Sequence, residues 1–208
     1  MENVLFIKAN GLPKERSVSV TLYETFLESY QERHPDDIIT ELNLFEADLP
    51  YYDAVMMNGL YKEANGEAVT PEEKRLADIA NSYLEGFLAA DKVIIAFPLW
   101  NFSIPAQLLT YLFYLSQAGK TFKYTAEGVV GLIPNKKVAL LNARGGVYSE
   151  GPLTDHEMSA TYVKNVLAHF GIKNPELIVV EGHNAKPNQA KELIATGITE
   201  ASELAQNF

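Results

Sequence analysis

With 208 residues and no shift in composition along its length, the chain reads as one domain spanning 1–208 around one substantial core. Its 27 acidic and 17 basic residues give a net charge of -10, which leaves no basic stripe for nucleic acid and opposes docking on an anionic membrane. There is no cysteine for a disulfide framework or thiolate chemistry, no apolar run reaches the roughly 18 residues of a membrane span, and Met1–Ala9 lacks an export signal, so a cytoplasmic protein is expected.

The chain opens on Val4-Leu5-Phe6-Ile7, an uninterrupted apolar run that predicts a strand covered on both faces. After a loop with Asn10, Gly11 and Pro13, residues Leu22, Tyr23, Phe26, Leu27 and Tyr30 recur at helical spacing from Val18 onward, with Ser17 as N-cap. Strand, short polar loop and helix N-terminus together make a phosphate-holding geometry, because the first N–H groups of a helix have no internal partner and sit at the positive end of its dipole. Ser17 and Ser19 add hydroxyl donors, although Ser17 read alone is no more than a cap. No Gly-x-Gly-x-x-Gly and no Walker lysine motif is present, which weighs against dinucleotide and nucleoside-triphosphate binding.

Ile38 to Leu44 alternates loosely, as an edge strand would. Phe45 to Val69 is long for a connection, and its Tyr51, Tyr52, Met56, Met57 and Tyr61 argue for function rather than disorder, with a helical piece from Asp53 to Ala64. Thr70-Pro71-Glu72-Glu73 is a capping box that starts a helix with Leu76, Ile79, Ala80, Tyr83, Leu84, Phe87 and Leu88 on its buried face.

That helix leads into Val93–Phe97, a run without alternation that predicts a central strand stopping at Pro98. Leu99, Trp100, Asn101 and Phe102 then form a loop before a helix with Ser103 or Ile104 near its cap and Pro105 in its first turn; in open α/β sheets, ligands sit at such carboxyl ends. The helix from Pro105 to about Ser116 is apolar nearly all round, so the chain or a second subunit must cover it; a two-fold homodimer with the Trp100 loop near its seam is expected.

Gly119 to Gly131 forms an excursion carrying Phe122 and Tyr124. Val138 to Leu141 predicts a fourth strand, ending in Asn142-Ala143-Arg144-Gly145-Gly146. Thr154 to Glu157 reads as a second capping box, for a helix with Met158, Tyr162, Val166, Leu167 and Phe170 inward and Gly171 as its stop. Leu177–Val180 is a fifth strand, and Pro187 starts a last helix with Leu193, Ile194, Ile198, Ala201 and Leu204 inward. Five alternations of strand and helix predict an α/β, doubly wound, five-stranded parallel sheet with helices on both faces, in the flavodoxin-like order 2-1-3-4-5.

Ser17-Val18-Ser19, Leu99-Trp100-Asn101-Phe102, Gly119-Lys120-Thr121-Phe122-Lys123-Tyr124, Ala143-Arg144-Gly145-Gly146 and Glu181-Gly182-His183 together resemble the FMN-dependent NADH azoreductases, within the flavodoxin-like NAD(P)H:quinone oxidoreductases. The resemblance runs through essentially the whole chain. It implies a homodimer with one FMN per subunit at the interface, and two-electron, ping-pong reduction of azo dyes and quinones by NADH or NADPH. On this likeness the FMN phosphate falls to Ser17, Val18 and Ser19, with Asn10 beside it. The flavin ring falls to Leu99, Trp100, Asn101 and Phe102. Ala143, Arg144, Gly145 and Gly146 bring N–H groups and a cation to the pyrimidine end, with Tyr148 nearby.

Tyr61, Phe122 and Tyr124, from the long aromatic connections, are the candidates for the acceptor pocket wall, and Phe122→Ala is expected to change acceptor kinetics more than FMN affinity. No protein group is assigned as a catalytic acid, because the flavin carries the chemistry. The four histidines lack ligand-like spacing, so no metal is expected. The alternatives are a flavodoxin-type single-electron carrier to a protein partner, against which the 45–69 insertion and the apolar helix weigh, and a binding protein without cofactor.

Overall fold

The computed structural model describes all 208 residues. In chain order they form β1 (Asn3–Lys8), α1 (Val18–Arg33), β2 (Ile38–Asn43), α2 (Ala54–Ala64), α3 (Pro71–Ala89), β3 (Lys92–Pro98) and α4 (Ala106–Leu115). Then come β4 (Phe122–Thr125), β5 (Gly128–Gly131), β6 (Lys137–Arg144), α5 (Ala160–His169), β7 (Glu176–Glu181) and α6 (Ala190–Asn207). Five of the strands make one parallel sheet in the order β2-β1-β3-β6-β7, while β4 and β5 pair antiparallel as a separate hairpin. Counting only sheet strands, this is the expected 2-1-3-4-5 order.

The apolar runs fail to alternate because both faces of the sheet are buried. Leu5, Ile7, Val93, Ile95, Phe97, Val138 and Leu140 point to a core closed by α3, α4 and α5. Their neighbours Val4, Phe6, Ile94, Ala96, Ala139 and Leu141 point to the other, closed by α1 and α6. Each fully buried Ile, Leu or Phe contributes about 1.5–3 kcal/mol to keeping these layers together. On the second face α6 approaches so closely that a Cβ on Gly197 would lie 2.1 Å from Val180 Cγ2. The small residues Gly197, Ala201 and Ala205 therefore form its buried stripe, and Leu193, Ile194, Ile198 and Leu204 flank it half-buried.

Three helix starts differ from expectation. Pro105 is the residue before α4 and contributes no side-chain cap. α6 begins at Ala190, three residues beyond Pro187. The Thr154–Glu157 box does not form: residues Gly151–His156 make one 3-10 stretch, α5 begins at Ala160, and Met158 is exposed. Glu157 caps α5 instead, its Oε1 accepting from Ser159 N and Ala160 N, 2.9 Å each, and its Oε2 from Thr161 N at 3.0 Å. A carboxylate with two oxygens meets more of the free N–H groups than a threonine hydroxyl could.

The capping box at Thr70 and Glu73 does form, as does the Ser17 cap of α1. The nearly all-apolar α4 is mostly covered by the chain itself: Leu108, Tyr111, Leu112, Tyr114 and Leu115 are buried, and Phe113 is left exposed. At the amino edge of the sheet, the buried Lys92 ammonium reaches the Tyr30 hydroxyl (3.0 Å) and Glu2, and Tyr30 donates to Asp37 (2.8 Å). That charged cluster is far from the carboxyl ends and serves the fold. No helix is long and apolar enough to cross a membrane.

Candidate active site

A crevice opens where β1, β3 and β6 end. Its deeper part, about 180 Å³, is lined by Asn10, Ser17, Val18, Ser19, Leu99, Trp100, Ala143 and Gly145 among others. It adjoins a more open part of about 590 Å³ lined by Asn101, Phe102, Gly146 and Tyr148, and the two share Leu99, Gly145 and Asn184. Carboxyl ends of parallel strands at the point where the strand order reverses are where such folds bind ligands.

One end of the crevice gathers hydrogen-bond donors at the N-terminus of α1. Asn10 Nδ2 donates to Ser17 Oγ (2.8 Å) and Ser19 Oγ (3.1 Å), and the two hydroxyls are 3.1 Å apart. Asn10 Oδ1 accepts from Leu12 N at 2.9 Å, which fixes the amide orientation. Ser17 Oγ accepts from Val20 N at 3.2 Å, while the N–H groups of Val18 and Ser19 find no partner within the chain. Two free N–H groups on a helix dipole, beside two hydroxyls, suit a phosphate. Arg16, exposed and in no ion pair, lines the same end. Sequence reasoning passed over it, although a basic residue directly before the cap was the available signal.

The opposite walls are two loops. Trp100 and Ser103 exchange backbone hydrogen bonds of 2.9 Å in both directions, and the intervening Asn101 and Phe102 have φ of 48° and 70°. Positive φ at both central residues defines a type I′ turn, which favours Asn at the first position and Gly at the second; Phe102 is therefore held in a conformation that costs an L-residue about 1–2 kcal/mol. The turn leaves the N–H groups of Asn101 and Phe102 unbonded and both side chains exposed at the crevice. Phe45 packs edge-on against Trp100, with ring centroids 6.1 Å apart, and supports it from below.

The second loop follows β6. Gly145 and Gly146 also have unbonded N–H groups, while their carbonyls accept from Asn184, Ala185 and Gly182 of the connection after β7. A Cβ on Gly145 would meet Asn184 Nδ2 at 2.5 Å, so the crevice floor needs glycine there unless Asn184 turns away. Tyr148 lines the mouth, its ring 6.5 Å from that of Phe102. His183 and Asn184, also at the crevice, escaped the sequence reading of site residues although Glu181-Gly182-His183 had been noticed; burial pushes the His183 imidazole below its usual value, toward the neutral form.

Arg144 is placed differently from expectation. Its guanidinium does not line the crevice: it turns into the protein, where Nε donates to Asn142 Oδ1 at 2.6 Å and the fork lies 3.5 Å from both Glu157 and Glu181. Two half-buried carboxylates draw the cation away from solvent, because each would otherwise be left uncompensated. Burial alone would raise the Glu157 carboxyl, but Ser159, Thr161 and Arg144 outweigh it and hold it at about 2. Burial opposes ionisation of Glu181 as well, and Ser149, the Tyr148 N–H and Arg144 bring it below the usual carboxylate range.

The acceptor-wall candidates do not line the crevice within one chain. Phe122 is 7% exposed and part of the core, packed on His169 with centroids 4.1 Å apart. The reason is the β4–β5 hairpin, which docks on the end of α5: a Cβ on Gly131 would lie 2.1 Å from Gly171 N. Tyr124 and Tyr61, 73% and 63% exposed, stand on the outer surface. No cluster of potential metal ligands is present.

Residues 2–204 match the family model described as Flavodoxin-like fold. The chain is 73% identical, over the full length of both, to FMN-dependent NADH:quinone oxidoreductase 1 of Listeria monocytogenes serotype 4b (strain F2365). It is 53% identical, again over the full length of both, to the FMN-dependent NADH:quinone oxidoreductase of Brevibacillus brevis. Among solved structures it is similar to an azoreductase from Bacillus anthracis str. Sterne, at 53% identity and a TM-score of 0.98 with all of both chains covered. It is also similar to an FMN-dependent NADH-azoreductase from Bacillus anthracis str. Ames Ancestor in complex with FMN, at 30% identity and a TM-score of 0.92, covering 100% of this chain and 99% of that one. By the family match and by these identities over the whole chain, the chain belongs to the flavodoxin-like family of FMN-dependent NADH:quinone oxidoreductases and azoreductases.

Proposed function

We propose that the chain is an FMN-dependent oxidoreductase that takes electrons from NADH and gives them, two at a time, to quinones and azo compounds by a ping-pong scheme. The observation that carries this reading is the pairing of the Asn10–Ser17–Ser19 anion cradle with six unbonded backbone N–H groups around one crevice, those of Val18, Ser19, Asn101, Phe102, Gly145 and Gly146. When bound, FMN supplies the redox chemistry: hydride acceptance from the nicotinamide and its delivery to the acceptor.

The chain's own residues bind and orient. Ser17, Ser19 and the first N–H groups of α1 hold the phosphate, with Arg16 adding a cation at the rim. Asn101 and the free N–H groups of the 100–103 turn address the ring edge, where Asn101 can both donate and accept. Gly145 and Gly146 would offer N–H donors to the pyrimidine end, as fixed dipoles suited to negative charge. Exposed Trp100 and Phe102 and half-buried Tyr148 give flat apolar surface to a flat acceptor. No side chain is needed as a general acid.

We assign the working unit as a homodimer. Phe113 on α4, Tyr61 on α2 and Tyr124 on the hairpin are large apolar side chains left exposed by one chain, and a second copy would give them cover. Initial rates measured at several fixed quinone concentrations test the kinetic scheme. Parallel double-reciprocal lines are expected, and intersecting lines would reject ping-pong transfer.

A further inference from the structure

We infer that Arg144 is a positioning residue whose buried guanidinium, bridging Glu157 and Glu181, holds the two walls of the crevice in register for the cofactor. The inference rests on the FMN reading of the crevice and assigns Arg144 a role other than supplying a cation to the ligand.

The side chain is 7% exposed, against 9% for Glu157 and 18% for Glu181. Each carboxylate in turn governs one wall. Glu181 accepts from Tyr148 N (3.0 Å), Ser149 N (3.2 Å) and the Ser149 hydroxyl, so it sets the loop carrying Gly145, Gly146 and Tyr148. Glu157 caps α5 and is followed by Met158, whose N–H donates to the Phe102 carbonyl at 3.0 Å. That bond reaches the strained turn of the other wall. The circuit closes through the rings, since Phe102 packs on Tyr148 and, at 5.1 Å between centroids, on His156. Asn142 anchors it to the central strand: its Oδ1 accepts from Arg144 Nε (2.6 Å) and its Nδ2 donates to the Phe97 carbonyl (3.1 Å).

A buried cation between two half-buried carboxylates is poor evidence for stability, because desolvation consumes most of the attraction. What such a bridge offers here is geometry. It ties the end of β6, the 148–149 loop and the 156–158 segment to one fork, and lysine, a point charge without a fork, cannot reproduce it. A turn with Phe102 at positive φ needs surroundings that over-determine it, and the Met158 N–H is one such restraint.

The test compares FMN binding and the induced circular dichroism of the bound flavin in wild type, Arg144→Met, Arg144→Lys, Glu157→Gln and Glu181→Gln. Arg144→Met is expected to weaken FMN binding by at least tenfold and to change the flavin dichroism while the far-ultraviolet spectrum of the apoprotein is retained. Arg144→Lys should recover part of the loss. The two Gln variants should each weaken binding severalfold, and less than additively when combined with Arg144→Met. They also carry the test if Arg144→Met does not fold. Lys92→Met, which removes a buried cation at the opposite edge, should lower the melting temperature and leave FMN affinity within twofold of wild type. Variants that lose melting temperature but keep wild-type FMN affinity and flavin dichroism would overturn the inference alone. Wild type that does not take up FMN would overturn the cofactor reading and the inference with it.

Discussion

Trp100 and Ser103 pair through two backbone hydrogen bonds of 2.9 Å across Asn101 and Phe102, and both central residues take positive φ at the mouth of the crevice. Asparagine tolerates that region; phenylalanine does so at a cost. Phe102→Ala keeps the strain and loses the ring, whereas Phe102→Gly relieves the strain. The glycine variant should therefore be more stable than the alanine variant by about 1 kcal/mol, and both should lose turnover with quinone. Urea unfolding of the apoproteins measures the order, and an alanine variant equal to or more stable than the glycine variant would show that the turn is not strained.

The cradle predicts a separation of affinity from stability. Ser17 caps α1 and faces the crevice, whereas Ser19 is not the cap. Both alanine variants should weaken FMN binding about tenfold or more, as expected for a lost hydrogen bond to a charged group. Only Ser17→Ala should also cost about 1 kcal/mol of apoprotein stability. Fluorescence titration with FMN and thermal unfolding of the apoproteins separate the two effects.

Glu157 predicts a pH dependence with a definite sign. Its carboxyl falls from the usual 4.5 to about 2 in the folded chain. A carboxyl depressed by folding contributes stability that is fully present above its unfolded value and is lost as pH falls toward the folded one. At most about 3 kcal/mol should therefore disappear between pH 5 and about pH 2. Denaturation of wild type and Glu157→Gln at several pH values should show the gap between them narrowing across that window. A constant gap would contradict the ion-paired state.

Phe122 predicts a structural rather than a kinetic effect. Buried in the core and packed on His169, it should cost about 3–5 kcal/mol when replaced by Ala. Gly131→Ala should destabilise by about 2 kcal/mol or more, because its Cβ would strike the backbone of Phe170 and Gly171. Gly145→Ala, which meets the Asn184 side chain and no backbone, with Nδ2 at 2.5 Å and Cβ at 3.3 Å, should fold and bind FMN less tightly. Melting temperatures and FMN titrations of the three variants check this contrast.

The sheet and its order were legible because uninterrupted apolar runs have one economical explanation, burial on both faces, and the structure supplies a separate core for each face. The Ser17 cap and the Thr70–Glu73 box were legible because capping chemistry is local. What escaped depends on distance in sequence. Thr154 and Glu157 match a capping box by spacing, yet Glu157 is drawn on to α5 and to Arg144, thirteen residues earlier in the sequence. The direction of the Arg144 side chain is set by Asn142, Glu157 and Glu181 together, and no spacing rule connects the two carboxylates to it. The type I′ turn was hidden because its second central residue is Phe102 where the sequence rule asks for glycine. An aromatic in a long connection, as Phe122 is, suggests a pocket wall, and only the docking of the hairpin on α5 shows it to be core.

The measurement that tests the central claim most directly is the visible absorbance of the purified protein reconstituted with FMN, followed anaerobically through addition of NADH and then of a quinone or azo dye. The account predicts flavin bands that bleach with NADH and return with the acceptor. Bands that NADH leaves untouched, or a protein that retains no FMN, would contradict it.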